Sequence, residues 1–232
     1  MHRFLLLFAA CLAALASAGQ TAERPPNIVV ILIDDLGWKD LSCYGSDYYR
    51  TPNIDRLADQ GVRFTDGYAA CAVCSPTRAA LLTGKYPARL MLTEWLPSGR
   101  WDPKSKLRSG RFLRALPLEE VTLPEALREA GYRSCIVGKW HLGGEPFNTA
   151  IHHGFDVAIA ANDHGNPGDY FFPYEGSWKI PTTKLKATWR VIDGGEPGEY
   201  LTDRLTDEAI GFMEQNREKP FFLYLSHYAV HT

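Results

Sequence analysis

Asn27-Ile28-Val29-Val30-Ile31-Leu32-Ile33-Asp34-Asp35-Leu36-Gly37 is an unbroken aliphatic run closed by two carboxylates. The run is too short for a stable helix and rich in β-branched residues, so it predicts a strand buried on both faces, the kind found in parallel sheets. Asp34 and Asp35 then fall at the C-terminal end of that strand, where open α/β sheets gather their sites. Like charges side by side repel unless a cation lies between them, and an oxygen-rich pair favours Ca²⁺ or Mg²⁺. A solvated turn is the plainer alternative.

Downstream, Thr51-Pro52-Asn53 opens a helix with Asn53 as N-cap, Ile54, Leu57 and Ala58 on the apolar face and Gly61 as the stop. Val62-Arg63-Phe64 starts a second extended segment. Cys74-Ser75-Pro76-Thr77-Arg78 leads into an apolar run ending at Gly84, which reads as a short helix with proline in its first turn. Residues 85–118 show little periodicity and are read as a long excursion near the site. Thr122-Leu123-Pro124-Glu125 is a capping box that starts a helix stopped at Gly131. Tyr132 to Val137 predicts a strand, Thr202 to Asn216 a helix with a stripe of Leu205, Ala209, Phe212 and Met213, and Pro220 to Ser226 another buried strand. Strands alternating with helices in this way predict an α/β fold around a mainly parallel sheet.

Each strand end carries chemistry. Gly138-Lys139-Trp140-His141 follows the second strong strand, and in an extended conformation Lys139 and His141 face the same way. A lysine fixes an anion and a histidine moves a proton near neutral pH. His227, Tyr228 and His231 follow the last strand. Cys74 sits at a helix N-terminus, whose unpaired N–H groups suit an anion, and Arg78 projects one turn further on. These residues alone describe an anion-binding cysteine site, open to a phosphatase-like or a metal-binding reading. The Gly/Asn/Asp-rich loop holding Asn162, Asp163 and His164 is either the wall of a polar pocket or simple turn chemistry.

The chain has 232 residues and a formal net charge of -2, which gives no support to a nucleic-acid partner. Met1 to Arg3, the apolar Phe4 to Leu15 and Ala16-Ser17-Ala18 form an export signal over residues 1–18, followed by a polar linker to Pro26. No stretch is long enough to span a bilayer. A periplasmic or secreted protein is therefore expected. Lipid attachment at Cys11 fits less well, because the apolar run continues beyond it. Cys43, Cys71, Cys74 and Cys135 then remain, enough for two disulfides in three pairings. The lone C-x-x-C of Cys71 and Cys74 is a weak zinc signal.

Taken together, Pro26-Asn27-Ile28-Val29 leading to Asp34-Asp35-Leu36-Gly37, Thr51-Pro52-Asn53-Ile54-Asp55-Arg56-Leu57-Ala58, Cys74-Ser75-Pro76-Thr77-Arg78, Thr83-Gly84, Gly138-Lys139-Trp140-His141-Leu142-Gly143 and His231 are similar in order and spacing to the type I sulfatases of the alkaline phosphatase superfamily. The resemblance implies an alkaline-phosphatase-like α/β sandwich and a sulfuric ester hydrolase. It further implies that a maturation enzyme oxidises Cys74 to formylglycine, and that Asp34, Asp35 and the modified Cys74 bind Ca²⁺. Arg78 and Lys139 would neutralise the sulfate, His141 would assist elimination of sulfate, and His231 would protonate the leaving oxygen, with His227 as its competitor. Asn162, His164 and His227 are carried as substrate-binding residues, and the substrate as a sulfated glycan or small aryl sulfate.

The family draws further metal and substrate ligands from sequence beyond anything present here. Residues 27–232 are accordingly expected to be the N-terminal part of a catalytic domain that continues, inactive and poorly folded by itself. Two alternatives are kept: a phosphatase or phosphodiesterase of the same superfamily, and an exported glycan-binding protein with a vestigial site, supported by the aromatic stretch from Trp95 to Trp101.

Overall fold

The computed structural model describes residues 24–97, 104–107, 110–179, 183 and 185–231. The export segment, Cys11 and Trp101 lie outside the described residues. Four parallel strands form the central sheet: β1 (Ile28–Ile33), β2 (Arg133–Gly138), β3 (Val157–Ile159) and, after an antiparallel hairpin of β4 (Glu175–Lys179) and β5 (Lys186–Arg190), β6 (Phe221–His227). Their order across the sheet is β1-β6-β2-β3, so the last strand inserts between the first two. Ile33 pairs with His227, and Gly138 with Ser226. The register brings the C-terminal ends of three strands, from distant parts of the sequence, to one edge.

Helices α1 (Pro52–Gln60), α2 (Cys74–Thr83), α3 (Leu123–Glu129) and α4 (Leu201–Gln215) complete the elements. The sheet divides the core in two. On one face Ile136, Phe222 and Tyr224 pack with Ala79 and Leu82 of α2 and with Trp140 and Phe155. On the other, Cys135, Val137, Leu223 and Leu225 pack with Leu201, Leu205, Ala209 and Phe212 of α4. The alternation of faces along β2 and β6 follows from the two-residue period of a strand. Phe222 stacks on Phe155, with ring centroids 6.0 Å apart.

Several expectations need correction. β1 is buried on one face only: Ile28, Val30 and Leu32 pack against the first core, while Val29 and Ile31 are 46% and 56% exposed. α4 covers β2 and β6 and does not reach the edge strand. Helix α1 starts at Pro52, so Thr51 rather than Asn53 is its N-cap, and none of its residues is buried. Residues 62–64 form no strand; Val62 and Phe64 are 82% and 73% exposed. Cys43, Cys71, Cys74 and Cys135 are all free, so neither possible disulfide forms, and Cys135 lies sealed in the core. His227 is the last residue of β6 rather than a residue beyond it.

Other features stand as expected. The Thr122 backbone N–H donates to Glu125 Oε2 at 2.7 Å, closing the predicted capping box. Gly84 ends α2 in the left-handed conformation at φ 68°, its N–H donating to the Ala80 carbonyl. The long excursion over residues 85–118 contributes Leu90, Leu92, Leu96 and Leu116 to the core. It then delivers Trp95, Leu96 and Pro97 to the site.

Candidate active site

α2 begins at Cys74 with Val73 as its N-cap. Cys74 is half-buried at the wall of a cavity of about 1030 Å³. Pro76, in the first turn, has no N–H to lose to the helix, and its fixed φ suits that position. One turn on, Arg78 runs inward and is 1% exposed. Its Nη1 donates to the Lys139 carbonyl at 2.8 Å and to Ser226 Oγ, while Nη2 lies 3.2 Å from Asp34 Oδ1. Lys139 is fully buried, and its Nζ donates to Asp34 Oδ2. One carboxylate thus sits between two buried cations.

Burial by itself would raise the Asp34 carboxyl, but the Arg78 and Lys139 charges outweigh it and hold it below the usual carboxylate range. Burial lowers Lys139, and Arg78 lowers it further, against the opposing pull of Asp34. With both cations charged the cluster carries a surplus of positive charge, which attracts an anion.

His141 is 1% exposed, and Leu96 O is the partner of its Nε2. Leu96 is in turn positioned by its N–H, which donates to Ser75 Oγ at 3.1 Å. His141 Nδ1 is buried without a partner among the described residues. A carbonyl can only accept, so Nε2 carries the proton and Nδ1 is the free acceptor. Burial, with Lys139 and Arg78 nearby, lowers the imidazole to about 3, which keeps it neutral near physiological pH. Lys139 and His141 do not share a simple extended geometry: His141 has φ 55°, in the left-handed region, and so does Asp35 at φ 60°. Residues in this sparsely populated region persist where their surroundings hold them, commonly at active sites.

Asp35 turns outward, 61% exposed, with its Oδ2 3.8 Å from His231 Nε2. The backbone carries the rest of that junction, since Asp34 N–H donates to Ala229 O and Val230 N–H to Asp34 O. Asp35, Cys74, His141, His164 and His231 all line the cavity. Arg78, Lys139 and Asp34 are buried and are not among its lining residues. Among the described residues no group of three or more His, Cys, Asp or Glu side chains is gathered to hold a metal ion. Asp34 and Asp35 offer hard oxygen donors that fit one side of a Ca²⁺ or Mg²⁺ site, and a third from Cys74 after oxidation would still fall short of about six to eight ligands.

Two predicted substrate-binding residues are placed elsewhere. Asn162 is a brace: its carbonyl accepts from His141 N–H at 3.1 Å, and its side chain accepts from the His164 N–H at 3.0 Å and the Tyr228 hydroxyl at 3.3 Å. His227 is 6% exposed, its pKa lowered by burial, and it is not among the residues that line the cavity, whereas His231 is. His164 does line the cavity, stacked on Trp189 at 3.8 Å, and its pKa is lowered by burial against the pull of Asp163. Ser226, Leu96, Gly165 and Trp189 were not singled out from the sequence. Only Gly165, inside the Asn162–Gly165 turn, left a signal: a Cβ there would lie 2.7 Å from His141 Cε1.

The strand ends of a parallel α/β sheet converge here near a helix-borne cysteine and a buried Arg–Asp–Lys cluster, in a fold of the alkaline-phosphatase-like class. The sulfatase family model matches residues 26–232, and the chain belongs to that family. It is 38% identical over 243 residues to N-acetylgalactosamine-6-sulfatase of Canis lupus familiaris, an alignment covering 99% of this chain and 44% of the relative. A Bacteroides thetaiotaomicron structure, from work titled on the metabolism of multiple glycosaminoglycans, superposes with TM-score 0.69 at 29% identity, covering 90% of this chain and 52% of that one. Ps i-CgsB in complex with k-i-k-neocarrahexaose superposes with TM-score 0.67 at 31% identity, covering 90% and 46%. The chain therefore spans about half the length of the proteins it matches.

Proposed function

We propose that the whole protein hydrolyses a sulfate ester of a carbohydrate after Cys74 is oxidised by a formylglycine-generating enzyme. The observation that carries this reading is the buried Arg78–Asp34–Lys139 cluster, two basic groups held by one carboxylate, with Arg78 one turn along α2 from Cys74. The aldehyde hydrate would supply two hydroxyls at one carbon, and Ca²⁺ held by Asp34 and Asp35 would draw charge from the sulfate oxygens.

The chain's own residues do the rest. Arg78, tied to Ser226 and the Lys139 carbonyl, holds one face of the sulfate, and Lys139 neutralises charge on another. Their positions are set before substrate arrives, so little reorganisation accompanies the reaction. Neutral His141 accepts a proton at Nδ1 when sulfate is expelled. His231 gives a proton to the departing sugar oxygen. The relatives' names and titles, which concern an amino-sugar sulfatase, glycosaminoglycan metabolism and a carrageenan-type oligosaccharide, support a sulfated glycan as substrate. Export to a periplasmic or extracellular setting fits such a polymer, and among the described residues no helix is long and apolar enough to cross a membrane.

The test is sulfate release by the full-length protein co-expressed with the maturation enzyme. Cys74→Ala is expected to abolish release, and mass spectrometry of the Cys74 peptide to show formylglycine in the wild type. Undiminished release by Cys74→Ala would overturn the mechanism, and phosphate release in preference to sulfate would favour the phosphatase alternative.

A further inference from the structure

A second cavity, of about 480 Å³, opens beside the first and shares Asn166, Gly168 and His231 with it. The two therefore lie side by side, with a wall in common. At the junction stands Gly168, with φ 78° and no room for a side chain: a Cβ would lie 2.3 Å from Gly176 Cα. Gly168 thus packs directly against the β4–β5 hairpin, in the wall that the two cavities share.

The walls differ in kind. The first cavity has charged groups and imidazoles. The second is walled by Tyr170, Tyr200, Pro167 and Val230, with no Asp, Glu, Lys or Arg among its described lining residues. Tyr170 and Tyr200 form an aromatic corner, ring centroids 6.1 Å apart and tilted 36°, backed by Phe171 at 5.3 Å from Tyr200. The Tyr170 hydroxyl donates to the His231 carbonyl at 2.6 Å, so this wall is fixed relative to a residue of the first cavity. Its volume lies within the roughly 300–1,000 Å³ of small-molecule sites.

Resting on the sulfatase reading above, we propose that this second cavity is a subsite for the uncharged sugar ring next to the sulfated one. A pyranose presents an apolar C–H face that packs on aromatic rings and a rim of hydroxyls that suits phenol groups. An uncharged ring fits walls that offer no ionic partner. The sulfated unit would sit in the charged cavity, and the glycosidic linkage would pass over Gly168. The enzyme is then a chain reader, acting better on an oligosaccharide than on its terminal monosaccharide.

The experiment uses the matured full-length protein and a neutral saccharide series carrying one sulfate on the same terminal unit, from monosaccharide to trisaccharide. The expected result is a rise in kcat/KM of about tenfold on adding the second ring, the size of one aromatic contact. In Tyr200→Leu that ratio should collapse toward unity, a comparison made within one variant and so insensitive to its overall yield. Release independent of length would overturn the subsite while leaving the sulfatase reading intact. Should no member of the series release sulfate, the sulfatase reading fails, and calorimetry with the unsulfated trisaccharide and monosaccharide decides the subsite separately. Tighter trisaccharide binding, lost in Tyr200→Leu, supports it; equal affinities overturn it.

Discussion

Asp34 and Asp35 show most plainly how adjacent residues come to different surroundings: Asp34 turns inward to Arg78 and Lys139, while Asp35 turns outward toward His231. Removing the Asp34 charge leaves two cations buried together. Asp34→Asn should therefore destabilise the protein by about 3–5 kcal/mol, read from chemical denaturation; a loss within about 1 kcal/mol would mean that the cluster does not stabilise the fold. His153 provides a pH test away from that cluster. It is 1% exposed, lies against Trp140 with ring centroids 5.3 Å apart and planes tilted by 40°, and has no hydrogen-bond partner for either ring nitrogen among the described residues. Burial holds its pKa below the ordinary value of about 6.5. As pH falls below that ordinary value the unfolded chain takes up the proton before the folded one, so stability is full above it and declines as pH falls toward the folded value. His153→Phe should flatten stability against pH between roughly 6.5 and 5 relative to wild type. Identical slopes would show that the ring protonates without cost.

At the scale of elements, the site depends on loops that lie against it as much as on the strands that end in it. The turn from Asn162 to Gly165 presses on the His141 ring, and α2 and the excursion after it set Leu96 through Ser75. Gly165→Ala would force a methyl into a 2.7 Å gap beside His141 Cε1. It should lower kcat by about 10–100-fold, the cost of displacing a catalytic group by an ångström or less, with a much smaller effect on melting temperature. Unchanged kcat in the full-length enzyme would show that His141 tolerates displacement. The sequence foretold β2, β6, α2, α3 and α4 within a residue or two, because each has a strong period or a cap: the Thr122–Glu125 box, Gly84, the Leu205–Phe212 stripe. It misled at residues 62–64 and at the N-cap of α1. There the apolar residues are exposed and no neighbouring strand pairs with them, so local propensity had nothing to enforce it.

At the scale of the molecule, the free edge of the sheet stands out. β1 has a strand on one side only, and Val29 and Ile31 point away from both cores. Exposed apolar edges template association. The chain from residue 24 to 231, expressed alone, should associate with rising concentration in sedimentation velocity, and Val29→Lys with Ile31→Lys should return it toward monomer. A concentration-independent monomer would show that the edge is protected in some other way. The two cavities also belong to this scale. The second of them brings the loop of residues 166–170 together with Tyr200, just before α4, and Val230 after β6, positions that no local pattern connects.

The sequence by itself determined the strand and helix alternation and the family, and it nominated Asp34, Asp35, Cys74, Arg78, Lys139, His141 and His231 as candidates for the site. Those follow from local chemistry, since period, caps and motif spacing are written along the chain. The tertiary structure alone decided which of those residues touch. That Asp34 rather than Asp35 holds the cations, that His231 rather than His227 lines the cavity, that His141 presents Nδ1, and that a second aromatic cavity adjoins the first all depend on contacts between segments tens to hundreds of residues apart. Such contacts are fixed by the packing of β6 between β1 and β2, and packing is a property of the assembled sheet.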